Sequence, residues 1–154
     1  MNNKIVIPNE LMLGEVSAML SEGREVIILT KGVSMLPFIR GGIDSVLLVA
    51  KDSPVPGDIA LCEIRPGHYV LHRIVAIDEK VVLLHGDGNL RGTESCTPAA
   101  IKGVVKSILR PDGKQRYPSA PRALRAWKLW KALPLLCRRV ILKIYRIIYY
   151  RKQI

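Results

Sequence analysis

Apolar residues follow two rhythms along this chain, and the change from one to the other divides it. From Asn9 to Leu20 the residues Leu11, Leu13, Val16, Met19 and Leu20 fall near helical spacing. Asn9 as N-cap and Gly23 as a stop predict one short amphipathic helix over 9–21. Beyond it come short runs rich in Val, Ile and Leu: Glu25 to Thr30, Ser45 to Ala50, Asp58 to Ile64, Tyr69 to Ile77, Val81 to His85 and Ile101 to Leu109. Turn residues separate them, among them Gly41-Gly42, Pro54 to Gly57, Pro66-Gly67, Asp78 to Lys80 and Gly86 to Asn89. Strand and turn alternate without intervening helical patterns, which predicts a mostly β, antiparallel body over 25–110.

The helical rhythm returns at the C-terminus. Pro111-Asp112-Gly113 closes the body, so that residues 1–112 form one domain and 113–121 a linker. In 122–154, Arg122, Arg125, Lys128 and Lys131 recur every three residues, with Leu124, Trp127, Trp130 and Leu133 on another side. Pro134 should break this helix. A second basic and apolar segment follows, Arg139, Lys143 and Arg146 against Val140, Ile141, Ile144, Ile147 and Ile148. The expectation is a basic amphipathic helical tail.

Charge sharpens that division. The chain carries a formal +11, which taken whole suggests a nucleic-acid partner. Residues 1–112, however, hold 12 Lys and Arg against all 13 Asp and Glu, and the other 12 basic residues follow Asp112 with no acid among them. Interleaved Trp, Leu and Ile make an anionic membrane surface the expected partner of 122–154 and nucleic acid an unlikely one. Three widely spaced cysteines, Cys62, Cys96 and Cys137, form neither a disulfide framework nor a zinc pattern. No metal and no cofactor is expected. The N-terminus offers no apolar run of export type. These features predict a cytoplasmic protein, peripheral on the inner face of the membrane.

Three short motifs carry candidate chemistry. Gly32-Val33-Ser34-Met35-Leu36-Pro37 stands at the exit of an apolar strand, where Ser34 projects from a turn whose backbone N–H groups can serve a developing oxyanion. Tyr69 to Val75 places His72 on the face of Val70 and Ile74 and Arg73 on the face of Tyr69, Leu71 and Val75. Burial there would keep an imidazole neutral, as a general base requires. Gly86-Asp87-Gly88-Asn89 taken alone reads as a type I′ hairpin turn.

In this order, with Gly57-Asp58-Ile59-Ala60 between the first two, the motifs resemble those of signal peptidases, specifically their Ser-His branch, within the superfamily that includes self-cleaving repressors. The resemblance covers roughly residues 26 to 108. It implies a signal-peptidase-like body with Ser34 as nucleophile and His72 where the Ser-Lys branch places its lysine. It makes Met35 and Pro37 neighbours of the substrate. Asp87 has two open roles, orienting His72 or pairing with Arg73. Gly32 stands where many signal peptidases carry a serine, and in this the chain resembles the self-cleaving repressors, which likewise have Gly-x-Ser-Met; Gly41-Gly42-Ile43-Asp44 replaces the usual Gly-Asp with a small insertion.

The expected activity is that of a serine endopeptidase acting on a peptide or precursor protein through a Ser-His dyad and an acyl-enzyme. A Ser-Lys dyad is the weaker choice, because no lysine lies inside an apolar strand. Two other readings are a non-catalytic membrane-surface module on the same fold and a self-cleaving regulator. The second is disfavoured because little chain precedes the β body.

Overall fold

Backbone groups of extended segments must find partners, and eight short strands, six of them from the apolar runs, find them in a single antiparallel sheet. The computed structural model describes residues 9–151. Helix α1 (Asn9–Ser21) precedes β1 (Val26–Leu29), β2 (Ser45–Val49), β3 (Ile59–Arg65), β4 (His68–Ile77), β5 (Val82–His85), β6 (Glu94–Cys96), β7 (Ile101–Leu109) and β8 (Gln115–Arg116). Helices α2 (Pro121–Ala132) and α3 (Leu135–Tyr150) follow. The strand order is β1-β2-β7-β3-β4-β5-β6, and β8 pairs with β7. The mostly β fold with a short N-terminal helix and a helical C-terminus is therefore as the pattern predicts.

Helix α1 ends as its sequence requires. Gly23 takes φ +79°, Arg24 N–H bonds the Met19 carbonyl at 3.1 Å and Gly23 N–H bonds that of Leu20 at 3.0 Å, the pairing of a Schellman stop. The side chain of Asn9, the expected N-cap, lies outside the described residues. Val16 and Leu20 of α1 pack with Ile28, Val46, Leu48, Ile59 and Leu61 on one side of the sheet. Ala60, Cys62, Ile74, Val82, Leu84 and Val104 pack on the other.

Two strands escaped the pattern. Glu94–Cys96 is short and half polar, and Gln115–Arg116 falls inside the span expected to be linker. The helical break at Pro134 is as expected: it stands between the two helices and serves as N-cap of α3.

The helical tail packs on the β body along one side. Trp127, Trp130 and Leu142 are buried, and Trp130 and Leu142 form a third cluster with Leu36 of the β body. Phe38 meets Trp130 edge to face at 6.5 Å, and the Arg73 guanidinium lies 5.0 Å from the Trp127 ring centroid. The inner faces of α2 and α3 therefore belong to the core. The indole rings of α2 and Leu142 of α3 are more apolar than the cationic faces beside them, and Leu36 of the body offers them an apolar partner next to the Ser34 turn.

Candidate active site

Ser34 sits five residues beyond the end of β1, on a turn held from both sides. Gly32 has φ +74°, a conformation that favours glycine. A Cβ on Gly41 would lie 1.8 Å from the Gly32 carbonyl oxygen, so the two backbones touch with no room for a side chain. The Gly41 to Asp44 insertion is tied down by its last residue. Asp44, fully buried, accepts from Arg40 Nη2 at 2.8 Å and from Arg110 Nη1 at 2.9 Å.

The Gly86 to Asn89 loop supports the other side of the turn. Gly88 N–H donates to the Ser34 carbonyl at 2.8 Å. A Cβ on Gly86 would stand 2.6 Å from the Ser34 carbonyl oxygen, and one on Gly88 2.6 Å from that of Val33. Glycine at both positions thus serves close approach of backbone to backbone. The type I′ reading fails, because neither Asp87 nor Gly88 takes a positive φ and the loop spans all of 86–93 between β5 and β6.

His72 comes from β4, where it faces Ala60 of β3 across the ladder, and it is buried. Its Nε2 lies 3.2 Å from Ser34 Oγ. Its Nδ1 lies 2.9 Å from Oε2 of Glu94, which is half-exposed. A carboxylate facing Nδ1 assigns the ring proton to that nitrogen and leaves Nε2 free to accept from the serine hydroxyl. Ser34, His72 and Glu94 are therefore in line. Lys31 is exposed on the groove wall, and it is the imidazole that meets Ser34 Oγ.

No local pattern in the sequence points to Glu94. It belongs to a strand with no apolar alternation, yet the register carries it to the histidine: Ile74 pairs with Leu84, and Leu84 pairs with Glu94. These three share a face, and His72 is the next residue of β4 on that face. The available signal was an acid placed shortly after the Gly-Asp-x-Asn motif and two residues before Cys96, which packs against the core.

Asp87 resolves to the second of its two roles. It is buried with Arg73, which donates to it from Nη2 at 2.6 Å and from Nε at 3.1 Å. Arg73 also donates to the Gly57 carbonyl at 3.0 Å. Burial pushes the Asp87 carboxyl upward and the Arg73 guanidinium pulls it back. With three donated contacts on the carboxylate the pair is ionic in geometry, and its place is beneath the site. Asp87 does not contact His72 through any hydrogen bond among the described residues.

A groove of about 300 Å³ opens beside Ser34 and His72, lined by Ile28, Leu29, Thr30, Met35, Leu61 and Leu71 among others. Met35 lines the groove wall. Pro37 does not, and belongs to the turn that carries Leu36 into the core. Strand β1, at the edge of the sheet, runs along the groove with one side of its backbone unpaired. No family model and no curated protein matches the chain. Among the described residues, no cluster of His, Cys, Asp and Glu is arranged to hold a metal.

Proposed function

We propose that the chain is a serine endopeptidase that cleaves a peptide or precursor protein through Ser34, with His72 as general base and Glu94 as the group that orients it. The single observation that carries this reading is the line from Ser34 Oγ through both ring nitrogens of His72 to the Glu94 carboxylate. The motif resemblance to Ser-His signal peptidases agrees with it.

In this mechanism Ser34 Oγ attacks the scissile carbonyl carbon while His72 Nε2 takes the hydroxyl proton. The tetrahedral oxyanion is met by backbone N–H groups of the turn; those of Ser34 and Met35 donate to no backbone acceptor among the described residues. The C–N bond then breaks, and the proton on Nε2 passes to the leaving amine. Water deprotonated by the same nitrogen hydrolyses the ester and returns the enzyme. Glu94 keeps the proton on Nδ1 and offsets the positive charge of the imidazolium.

The substrate is an extended chain that adds beside β1, with Ile28, Leu29 and Met35 offering apolar walls. The protein works in the cytoplasm, a setting supported by its three free cysteines. Among the described residues, no helix is long and apolar enough to cross a membrane.

Peptide N-termini compared between cells carrying the wild type and Ser34→Ala test the reading. A precursor should accumulate uncut in the variant, and a fluorophosphonate should label the wild type at Ser34 alone. Identical N-termini in both cells, with no labelling of Ser34, would sink it and favour a non-catalytic module.

A further inference from the structure

The inner face of α3 is in the core, but its outer face is apolar and wet. Leu136, Val140, Ile144, Ile147 and Ile148 are exposed, from 48% at Ile144 to 71% at Leu136. Their spacing puts all five on one stripe about 18 Å long. The opposite side of the helix, with Leu142 buried and Ile141 and Tyr145 packed beside it, meets the cluster around Leu36. Arg139, Lys143 and Arg146 lie along one flank of the stripe, exposed, and line a concavity with Arg91 and the Gly88 to Leu90 loop.

We propose that this face docks on an anionic phospholipid bilayer, with the stripe lying among the acyl chains and the basic flank among the headgroups. Charge complementarity selects this occupant. A nucleic acid would satisfy the cations and leave five large apolar side chains in water. A second copy of the same face would bury the stripe, yet its two-fold pairing would bring Arg139, Lys143 and Arg146 against themselves, with no acidic residue after Asp112 to offset them. A bilayer bearing acidic lipid meets both halves at once.

Docking also orients the groove. Tyr150, at the end of α3, donates its hydroxyl to the Gly41 carbonyl at 2.8 Å, and Arg40 covers the Tyr149 ring at 4.7 Å. Gly41 lines the groove beside Ser34. A helix lying in the interface therefore holds that side of the groove within about one helix diameter, ~10 Å, of the headgroups. The docking does not rest on the peptidase reading.

The test uses the full chain with vesicles of phosphatidylcholine alone and of phosphatidylcholine with phosphatidylglycerol. The wild type should sediment with the acidic vesicles at low salt, release at high salt and ignore the neutral ones. Ile144→Gln with Ile147→Gln and Ile148→Gln, and separately Arg139→Glu with Lys143→Glu and Arg146→Glu, should each weaken partitioning about tenfold or more while leaving the circular dichroism unchanged. A dye on Cys137, exposed on the same side as Leu136, should shift to the blue in wild-type protein on acidic vesicles. Equal binding to neutral vesicles, no binding at all, no dye shift, or a stripe variant that binds like wild type would overturn the proposal. So would a dimer in solution that the stripe substitutions dissociate.

Discussion

Glu94 Oε2 lies 2.9 Å from Nδ1 of His72, although β5 stands between the strands that carry them. The contact fixes which ring nitrogen holds the proton. Glu94→Gln removes the charge and can present its amide nitrogen to Nδ1, reversing the tautomer so that Nε2 points a hydrogen at Ser34. In a comparable arrangement the loss is about 10⁴ in rate. Glu94 is half-exposed, so a smaller effect, roughly tenfold to a thousandfold, is expected here. The second-order rate of fluorophosphonate labelling at Ser34 measures it. Labelling at the wild-type rate would remove Glu94 from the mechanism, and Asp87→Asn should affect the rate less than Glu94→Gln does.

Asp87→Asn should instead act on stability. The change leaves the Arg73 guanidinium buried without its counter-charge, a situation that costs about 3–5 kcal/mol. Replacing both partners, Arg73→Met with Asp87→Leu, should recover much of that loss, because the desolvation of two ions disappears with them. Urea denaturation of Arg73→Met, Asp87→Leu and the double variant forms the cycle. Additive losses would mean that the fork contributes little coupling. Phe38 and Trp127, stacked on the guanidinium, would then be what holds Arg73 in place.

The contrast between Asp87 and Glu94 shows what was legible in the sequence. The six apolar runs announced their strands because their composition and the turns between them are local signals, and Ser34 and His72 stood out because one follows such a run on a turn and the other interrupts one. Glu94 reaches His72 only through a two-step register, β4 to β5 to β6, and no local spacing records that. The sequence leaves Asp87 two roles, and the fork of contacts from Arg73 decides between them. The helical tail was legible as amphipathic. Which of its faces would meet the body depended on a cleft formed by Leu36 and Phe38, far away in sequence.

Thiol chemistry checks the packing of the sheet independently of activity. Burial pushes the Cys62 thiol well above its ordinary range, and burial likewise raises Cys96. Both stay protonated at neutral pH, with Cys62 buried and Cys96 partly exposed. Cys137 is exposed on α3. Iodoacetamide should therefore modify Cys137 rapidly in native protein, Cys96 more slowly, and Cys62 only after denaturation. Peptide mapping reads the order. Equal reactivity of Cys62 and Cys137 would contradict the placement of β3 inside the second core cluster.

Trp130 joins the helical tail to the site. Its ring is buried against Leu36 and Phe38, and its indole N–H donates to the Asp87 carbonyl at 2.8 Å, on the loop whose next residue bonds Ser34. Trp130→Ala empties a large part of that cluster and should cost about 3–5 kcal/mol. Trp130→Phe keeps most of the apolar volume and deletes the donor, leaving the Asp87 carbonyl short of one partner; about 1 kcal/mol is expected. The two variants separate stability from positioning. If the indole steadies the Gly86 to Asn89 loop, Trp130→Phe should slow fluorophosphonate labelling of Ser34 at a temperature where the protein remains folded. A normal labelling rate in Trp130→Phe would confine α2 to a packing role. A Trp130→Ala protein as stable as wild type would mean that the tail leaves the body in solution, and the third core cluster would have to be abandoned.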